Sequence, residues 1–192
     1  KTMKLTYKIG DHDLDVRRTQ AEKWAKEGNP MKILLQLRGR ENQYEDLAMQ
    51  KIEEIKLEGG VLTAFYSHTG GLIAPESDTN PWHYKITWNP RNVVLAGQGG
   101  AAKFIQEGTY KYIPYSKLFR RTEFLEVEGY GRFEAYANRD SLKYRSVYGL
   151  DNALTCYRGT IRRVGYSRAW DILVQLGMTD DSYIIDNSEE MT

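Results

Sequence analysis

Residues 63–91 constrain this chain more than any other stretch. An apolar and aromatic run, Thr63 to Thr69, ends in the glycine pair Gly70-Gly71, and a Pro75-Glu76 step, an Asn80-Pro81 turn and an aromatic segment, Tyr84 to Trp88, follow. Apolar and β-branched residues bounded by Gly and Pro read as strands. The spacing therefore predicts a strand over 61–66 buried on both faces, a long turn-rich connection, and a second strand over 84–88. Asn89-Pro90 then opens a helix expected to reach about Gln106, because Asn caps well and Pro is preset for the first helical position.

The remaining pattern mixes both element types. Residues 3–9 and 31–37 alternate apolar and polar and predict half-buried strands. Between them a helix from the Asp11/Asp13 pair to Glu27 is stopped by Gly28-Asn29-Pro30. A stripe from Tyr44 through Ile52 predicts an amphipathic helix over 44–56. Strands are expected near 124–128, 131–136 and 153–163, and helices near 141–148 and 167–176. The expected class is α/β or α+β, a mixed sheet with flanking helices after a βαβα start. Fourteen tyrosines and four tryptophans, concentrated after residue 60, point to a strand-rich second part.

Charge excludes some function classes. The net charge is +1, so no global field recruits nucleic acid or a membrane. The single cysteine, Cys156, rules out an internal disulfide and reads as a buried small hydrophobe. No apolar run reaches membrane-spanning length, and residues 1–15 are too polar for a signal peptide; a cytoplasmic location is expected.

Residues 3–41 resemble the C-terminal domain of bacterial translation initiation factor 3. The resemblance rests on Ile9-Gly10-Asp11-His12-Asp13, a helix with Ala21, Trp24 and Gly28, and a strand ending Arg38-Gly39-Arg40-Glu41. It implies binding to the 30S ribosomal RNA. The candidate phosphate contacts are Arg17, Arg18, Lys23, Lys26, Arg38 and Arg40, because RNA binding needs several convergent cations. Basic and acidic residues nearly balance over 1–56, and the alternative reading is a solvated face.

Residues 57 to about 185 resemble the substrate domain of the saccharopine dehydrogenase family. Three motifs carry this: Ser67 to Glu76 around the glycine pair; Asn80-Pro81 with Tyr84-Lys85 and Thr87-Trp88; and Asn138-Arg139-Asp140-Ser141 followed by Arg158-Gly159-Thr160-Ile161-Arg162. The implied ligand, saccharopine, carries three carboxylates, and carboxylates are met by Arg forks, hydroxyls and free N–H groups. By resemblance Arg139, Thr160, Ile161 and Arg162 line the substrate, while Thr69, Gly70, Gly71, Leu72 and Trp88 face the nicotinamide of NAD(P). The family often has Cys at Thr69, Tyr at His68, Pro at Ile73 and Leu-Gly at Trp82-His83. These departures leave open a saccharopine-like or carboxy-polyamine ligand. No Gly-rich strand–turn–helix with a following acid occurs, so hydride transfer by this chain alone is not expected, and it is expected to bind no cofactor alone. The only catalytic assignment this permits is none, and no metal ligands stand out.

The chain thus reads as a chimera, residues 1–56 from one parent and 57–192 from the other. Its expected function is that of an excised substrate and dimerisation domain of an oxidoreductase of lysine metabolism, forming a homodimer and binding a carboxylated amino acid weakly. The alternatives are a ribosomal RNA-binding module and a structural chimera without activity.

Overall fold

The computed structural model describes all residues except 38–43, 57–60, 82, 87–88, 97–99, 185 and 187–192. They form two compact units, Lys1–Leu62 and Thr63–Thr192.

In the first unit, β1 (Thr2–Leu5) and β2 (Lys32–Leu35) pair in parallel. The crossover between them is α1 (Asp11–Lys26), and α2 (Glu45–Lys56) follows β2. The register sets Met3 beside Ile33 and Leu5 beside Leu35. These four pack with Ala21 and Trp24 of α1 into one apolar cluster. Strand alternation explains it, since every second residue faces the helix. Among the described side chains of the α2 apolar stripe only Ala48 is buried, and Leu47 stays exposed. The α1 start differs from expectation. Gly10 is the N-cap and no side chain caps it; Asp11 and Asp13 lie in the first turn, where the positive end of the helix dipole favours them. The stop is as expected. Gly28 takes φ +72°, its N–H donates to the Ala25 carbonyl, and the Asn29 N–H donates to Trp24, which is a Schellman closure.

The second unit is built on a six-stranded mixed sheet. Its strands are β3 (Ala64–Thr69), β4 (Ala102–Gln106), β5 (Thr109–Ile113), β6 (Glu123–Val127), β7 (Gly131–Ala137) and β8 (Thr155–Arg163). β8 is central. One edge pairs in parallel with β3 over residues 155–160. The other meets β4 at Cys156 and β7 from Gly159 onward, both antiparallel, so the sheet forks there into the β4–β5 and β6–β7 hairpins. Short helices α3 (Pro90–Val94), α4 (Tyr115–Leu118) and α5 (Tyr144–Val147) and the longer α6 (Tyr166–Gln175) complete the unit.

Three expectations fail here. The helix from Pro90 ends at Val94 and residues 102–106 are strand β4 instead. The deciding signal was Glu107-Gly108, at φ +50° and +75°, which closes a two-residue hairpin whose twist matches the strands. Residues 84–86 are not strand. The strand expected over 61–66 lies at 64–69, and it is an edge strand with Tyr66 half exposed rather than a strand buried on both faces. The buried Cys156 is as expected, its S–H directed to the Ser141 carbonyl.

Candidate functional site

Strand β8 carries most of the residues singled out by sequence. Alternation sends Arg158, Thr160 and Arg162 to one face and Tyr157, Gly159 and Ile161 to the other. The first face is the one α5 and α6 cover. The Arg158 guanidinium lies 3.9 Å from the Tyr144 ring of α5, and Arg162 lies beside Tyr166 of α6. Thr160 stands between Thr69 of β3 and Tyr136 of β7 in one cross-strand row.

Arg162 sits in an aromatic cage. Its guanidinium carbon is 4.9 Å from the Tyr84 ring centroid and 5.2 Å from that of Tyr166. Tyr84 meets Tyr166 edge-on, and Tyr166 stacks on Trp170, whose indole N–H donates to the Tyr115 hydroxyl at 3.2 Å. Cation–π contact of this kind is worth more as water is excluded. Arg162 donates to its neighbour's carbonyl, Ile161, at 3.2 Å and to the Tyr136 and Tyr166 hydroxyls, but its Nε is buried without a partner. Among the described residues it has no carboxylate partner. Burial pulls the guanidinium's pKa down, yet the Tyr136, Tyr166 and Tyr84 phenols more than offset this and the net direction is up. Burial pushes Tyr136 up to about 12, and Tyr166 rises for the same reason.

The carboxylate opposite Arg162 in register, Glu134, is committed elsewhere. Buried on β7, it accepts N–H groups from Gly165 and Ser167 and so closes the N-terminus of α6. This fixes the helix that brings Tyr166 to Arg162.

Arg139 lies at the other end of the same stretch of β8. Its neighbour Asn138 donates to the Arg158 carbonyl, four residues before Arg162, which is a separation of about 13 Å along a strand. Arg139 is exposed and held at φ +41°, a left-handed conformation that non-glycine residues avoid. Its carbonyl accepts the Lys103 N–H at 2.7 Å. Asp140 accepts from the Leu142 N–H at 3.0 Å and pairs with Lys103 at 3.8 Å, not with Arg139. Buried Ser141 accepts the Arg158 N–H at 3.0 Å. The Asn-Arg-Asp-Ser turn is thus built by Asp140 and Ser141, and Arg139 projects from it.

Gly70 and Gly71 continue β3 past Thr69, and their roles differ. A Cβ on Gly70 would run into the Ile161 carbonyl and side chain, so Gly70 allows backbone packing against β8; Gly71 has open space around it. Leu72 is exposed beyond them, and Trp88 lies outside the described residues. Gly159 likewise leaves room for His68, which a Cβ there would meet at 2.6 Å. His68 reaches across the second face to Glu123 of β6 at 2.9 Å.

The cations of the first unit are arranged differently. Arg18 pairs with Asp15 at 2.8 Å and Lys26 with Glu22 at 3.9 Å, both on α1 itself. Arg17 makes a long contact to Gln20, and Lys23 is exposed. At about 100° per residue these four scatter around more than half of the helix circumference. Arg38 and Arg40 lie outside the described residues. Sequence reasoning missed the cage residues Tyr136 and Tyr166 and the role of Glu134. Only the tyrosine excess hinted at them.

Two family models match the chain. The Saccharopine dehydrogenase C-terminal domain covers residues 46–190, and the Translation initiation factor IF-3, C-terminal domain covers residues 1–61. Saccharopine dehydrogenase [NADP(+), L-glutamate-forming] from Schizosaccharomyces pombe is 37% identical over 136 residues, 70% of this chain and 30% of that protein. The corresponding protein of Pyricularia oryzae is 36% identical, with 70% and 30% covered. The chloroplastic translation initiation factor IF-3 of Galdieria sulphuraria is 54% identical over 55 residues, 29% of this chain and 30% of that one. Among solved structures, apo histidine-tagged saccharopine dehydrogenase (L-Glu forming) from Saccharomyces cerevisiae superposes with a TM-score of 0.65 at 30% identity, covering 79% of this chain and 34% of that chain. The chain therefore spans about a third of the length of these relatives. With three quarters of its length matched by one model, and an initiation-factor segment fused in front of that match, this chain belongs to the saccharopine dehydrogenase C-terminal domain family.

Proposed function

We propose that Thr63–Thr192 is the substrate-binding domain of an NAD(P)-dependent oxidoreductase of the saccharopine dehydrogenase type, and that it holds a carboxylated amino acid along the Arg139 to Arg162 stretch of β8. The observation that carries this reading is Arg162 itself. A cation kept among tyrosines, with a buried unpartnered Nε, no ion pair among the described residues, and its cross-strand neighbour Glu134 engaged by the Gly165 and Ser167 N–H groups, is suited to an incoming carboxylate. Thr160 adds a hydroxyl beside it, and Arg139, in a strained turn, adds a second cation about 13 Å away, far enough to serve the other end of a multiply carboxylated chain.

The described residues do not fit the pyrophosphate of a nicotinamide cofactor. β3 runs through Gly70-Gly71 into an extended segment and a 3-10 turn at Pro75–Ser77, not into a helix whose N-terminus could hold phosphate. No step through the cofactor follows from this unit. Among the described residues there is also no group of His, Cys, Asp or Glu that could hold a metal ion, and no helix long and apolar enough to cross a membrane.

Calorimetric titration with saccharopine tests the reading. Two Arg–carboxylate contacts of about 1.5–3 kcal/mol each, less the cost of ordering the ligand, leave millimolar affinity at best. The expected heat falls with salt and is lost in Arg139→Ala. Binding unchanged in that variant would return Arg139 to the solvated surface. We also propose a homodimer through an outer sheet edge, since β5 and β6 each keep one edge without a strand partner among the described residues. Light scattering that reports only monomer at high concentration would exclude it.

A second reading concerns residues 1–61, whose match to initiation factor 3 supports binding to 30S ribosomal RNA through the cations of α1 together with Arg38 and Arg40. Filter retention of 30S RNA across a salt series tests it. Retention no stronger than that of a net-neutral control protein would sink it.

A further inference from the structure

On the face of the second unit's sheet turned away from Arg162, the fork between the two hairpins opens into a cavity of about 420 Å³. Its floor is aromatic. Tyr157 of β8 lies between Tyr66 and Phe104, with ring centroids at 6.1 Å and 5.0 Å. The hairpin β4–β5 adds Lys111, and the approach to β6 adds Arg121 and Glu123.

The polar groups are not equivalent. Glu123 is engaged already: His68 bonds it at 2.9 Å and the Tyr157 phenol bonds it as well, and the His68 bond in particular holds its carboxyl below the usual range. Lys111 and Arg121 have no ion pair among the described residues. The cavity therefore offers an aromatic floor, one satisfied carboxylate, and two cations with free donors. Ring stacking on the floor and a charge-assisted contact at the cations are complementary demands on one small molecule.

We propose that this cavity is a binding site for a small aromatic monoanion, a planar ring seated against Tyr66, Phe104 and Tyr157 with its carboxylate at Lys111 and Arg121. The site opens on the other face of β8 from Arg162, because the strand turns its alternate residues to opposite faces, although Phe104 and Tyr157 share one apolar cluster with Tyr136 and Tyr166 of the cage. Most of its side chains come from hairpins that an ordinary sheet would pair side by side; the fork at Gly159 is what separates them and makes the space. Gly159 itself is part of the device, because it clears the path along which His68 reaches Glu123.

The test uses the whole chain, nitrogen-15 labelled, titrated with benzoate, with benzamide as the uncharged isostere and acetate as the ringless one. Benzoate is expected to shift the amides of Tyr66, Gln106, Thr122 and Tyr157 saturably. Benzamide and acetate should each bind at least about tenfold more weakly, since each lacks one half of the recognition. Lys111→Gln and Arg121→Gln should each weaken benzoate several-fold without altering the melting temperature, both side chains being exposed. If one variant fails to fold, the other carries the test. Equal binding of benzoate and benzamide would overturn the proposal. So would shifts centred on Arg162, or wild-type affinity in the double variant. Absence of saturable shifts, including the case of a second copy covering this face, would overturn it too.

Discussion

Arg162 and Lys26 are both cations for which we propose anion contacts, yet the chain treats them in opposite ways. Lys26 stays on the outside of α1 and meets Glu22 of its own helix, a contact worth a few tenths of a kcal/mol. Arg162 is enclosed by Tyr84, Tyr136 and Tyr166, supplied by three separate parts of the chain, while the carboxylate in register with it serves as a helix cap. Enclosing a cation costs solvation, which the Tyr84 and Tyr166 rings and the Ile161 carbonyl offset in part. The comparison teaches that a cation's surroundings say more about anion binding than its presence in a motif. The changes below, from the largest effect to the smallest, would break or sharpen that contrast.

The frame under the cage should respond most strongly. Gly70→Ala places a methyl against the Ile161 backbone, which cannot yield as a flexible side-chain end would, and is expected to cost about 2–3 kcal/mol. Gly71→Ala, in open space, should stay within about 0.5 kcal/mol. Urea unfolding of both variants checks the pair, and equal effects would show that the two glycines are interchangeable.

The cage should next reveal itself in alkali. Tyr136 keeps its proton to about pH 12 in the folded chain but releases it near 10 when unfolded. A raised folded pKa gives stability that is whole below pH 10 and is lost as pH rises toward 12. The loss is about 2–3 kcal/mol for a shift of this size. Tyr136→Phe should flatten that part of the stability–pH curve, and a curve unchanged by the substitution would remove Tyr136 from the account.

Much of this architecture was legible and the reasons are specific. α1, α2, α6 and strands β6, β7 and β8 follow from periodicity and from stops such as Gly28. The β4–β5 hairpin did not, because Asn89-Pro90 is so good a helix start that the expected helix runs on through Ala101-Ala102, both good helix formers, up to the Glu107-Gly108 turn. Thr160 and Arg162 were legible in one motif. Their cage was not, because Tyr84, Tyr136 and Tyr166 are brought together only by the β7–β8 register and by Glu134 fixing α6. Nothing in local sequence encodes that meeting.

The cage's worth to a ligand is a smaller quantity. Arg162→Lys keeps the charge and loses the planar fork that two carboxylate oxygens match. Affinity for saccharopine should fall about tenfold, or about 1.4 kcal/mol. Calorimetry on the variant measures it. Equal affinity would mean that Arg162 acts as a point charge or not at all.

The smallest effect belongs to the surface. Lys26→Gln removes an exposed charge and its 3.9 Å pairing with Glu22, and should change stability by no more than about 0.5 kcal/mol. Its effect on RNA is a separate matter, because cations at phosphates act through counterion release and not through folding. If α1 faces RNA, Lys23→Gln with Lys26→Gln should lower the slope of log affinity against log salt by up to about 1.8, near 0.9 for each phosphate no longer neutralised on a duplex and less on single strands. Arg18, already held by Asp15, should contribute less to the slope than Lys23 does. Equal slopes for wild type and the double variant would leave α1 a solvated face. The two cations would then mirror the contrast with Arg162: present in a motif and idle in the molecule.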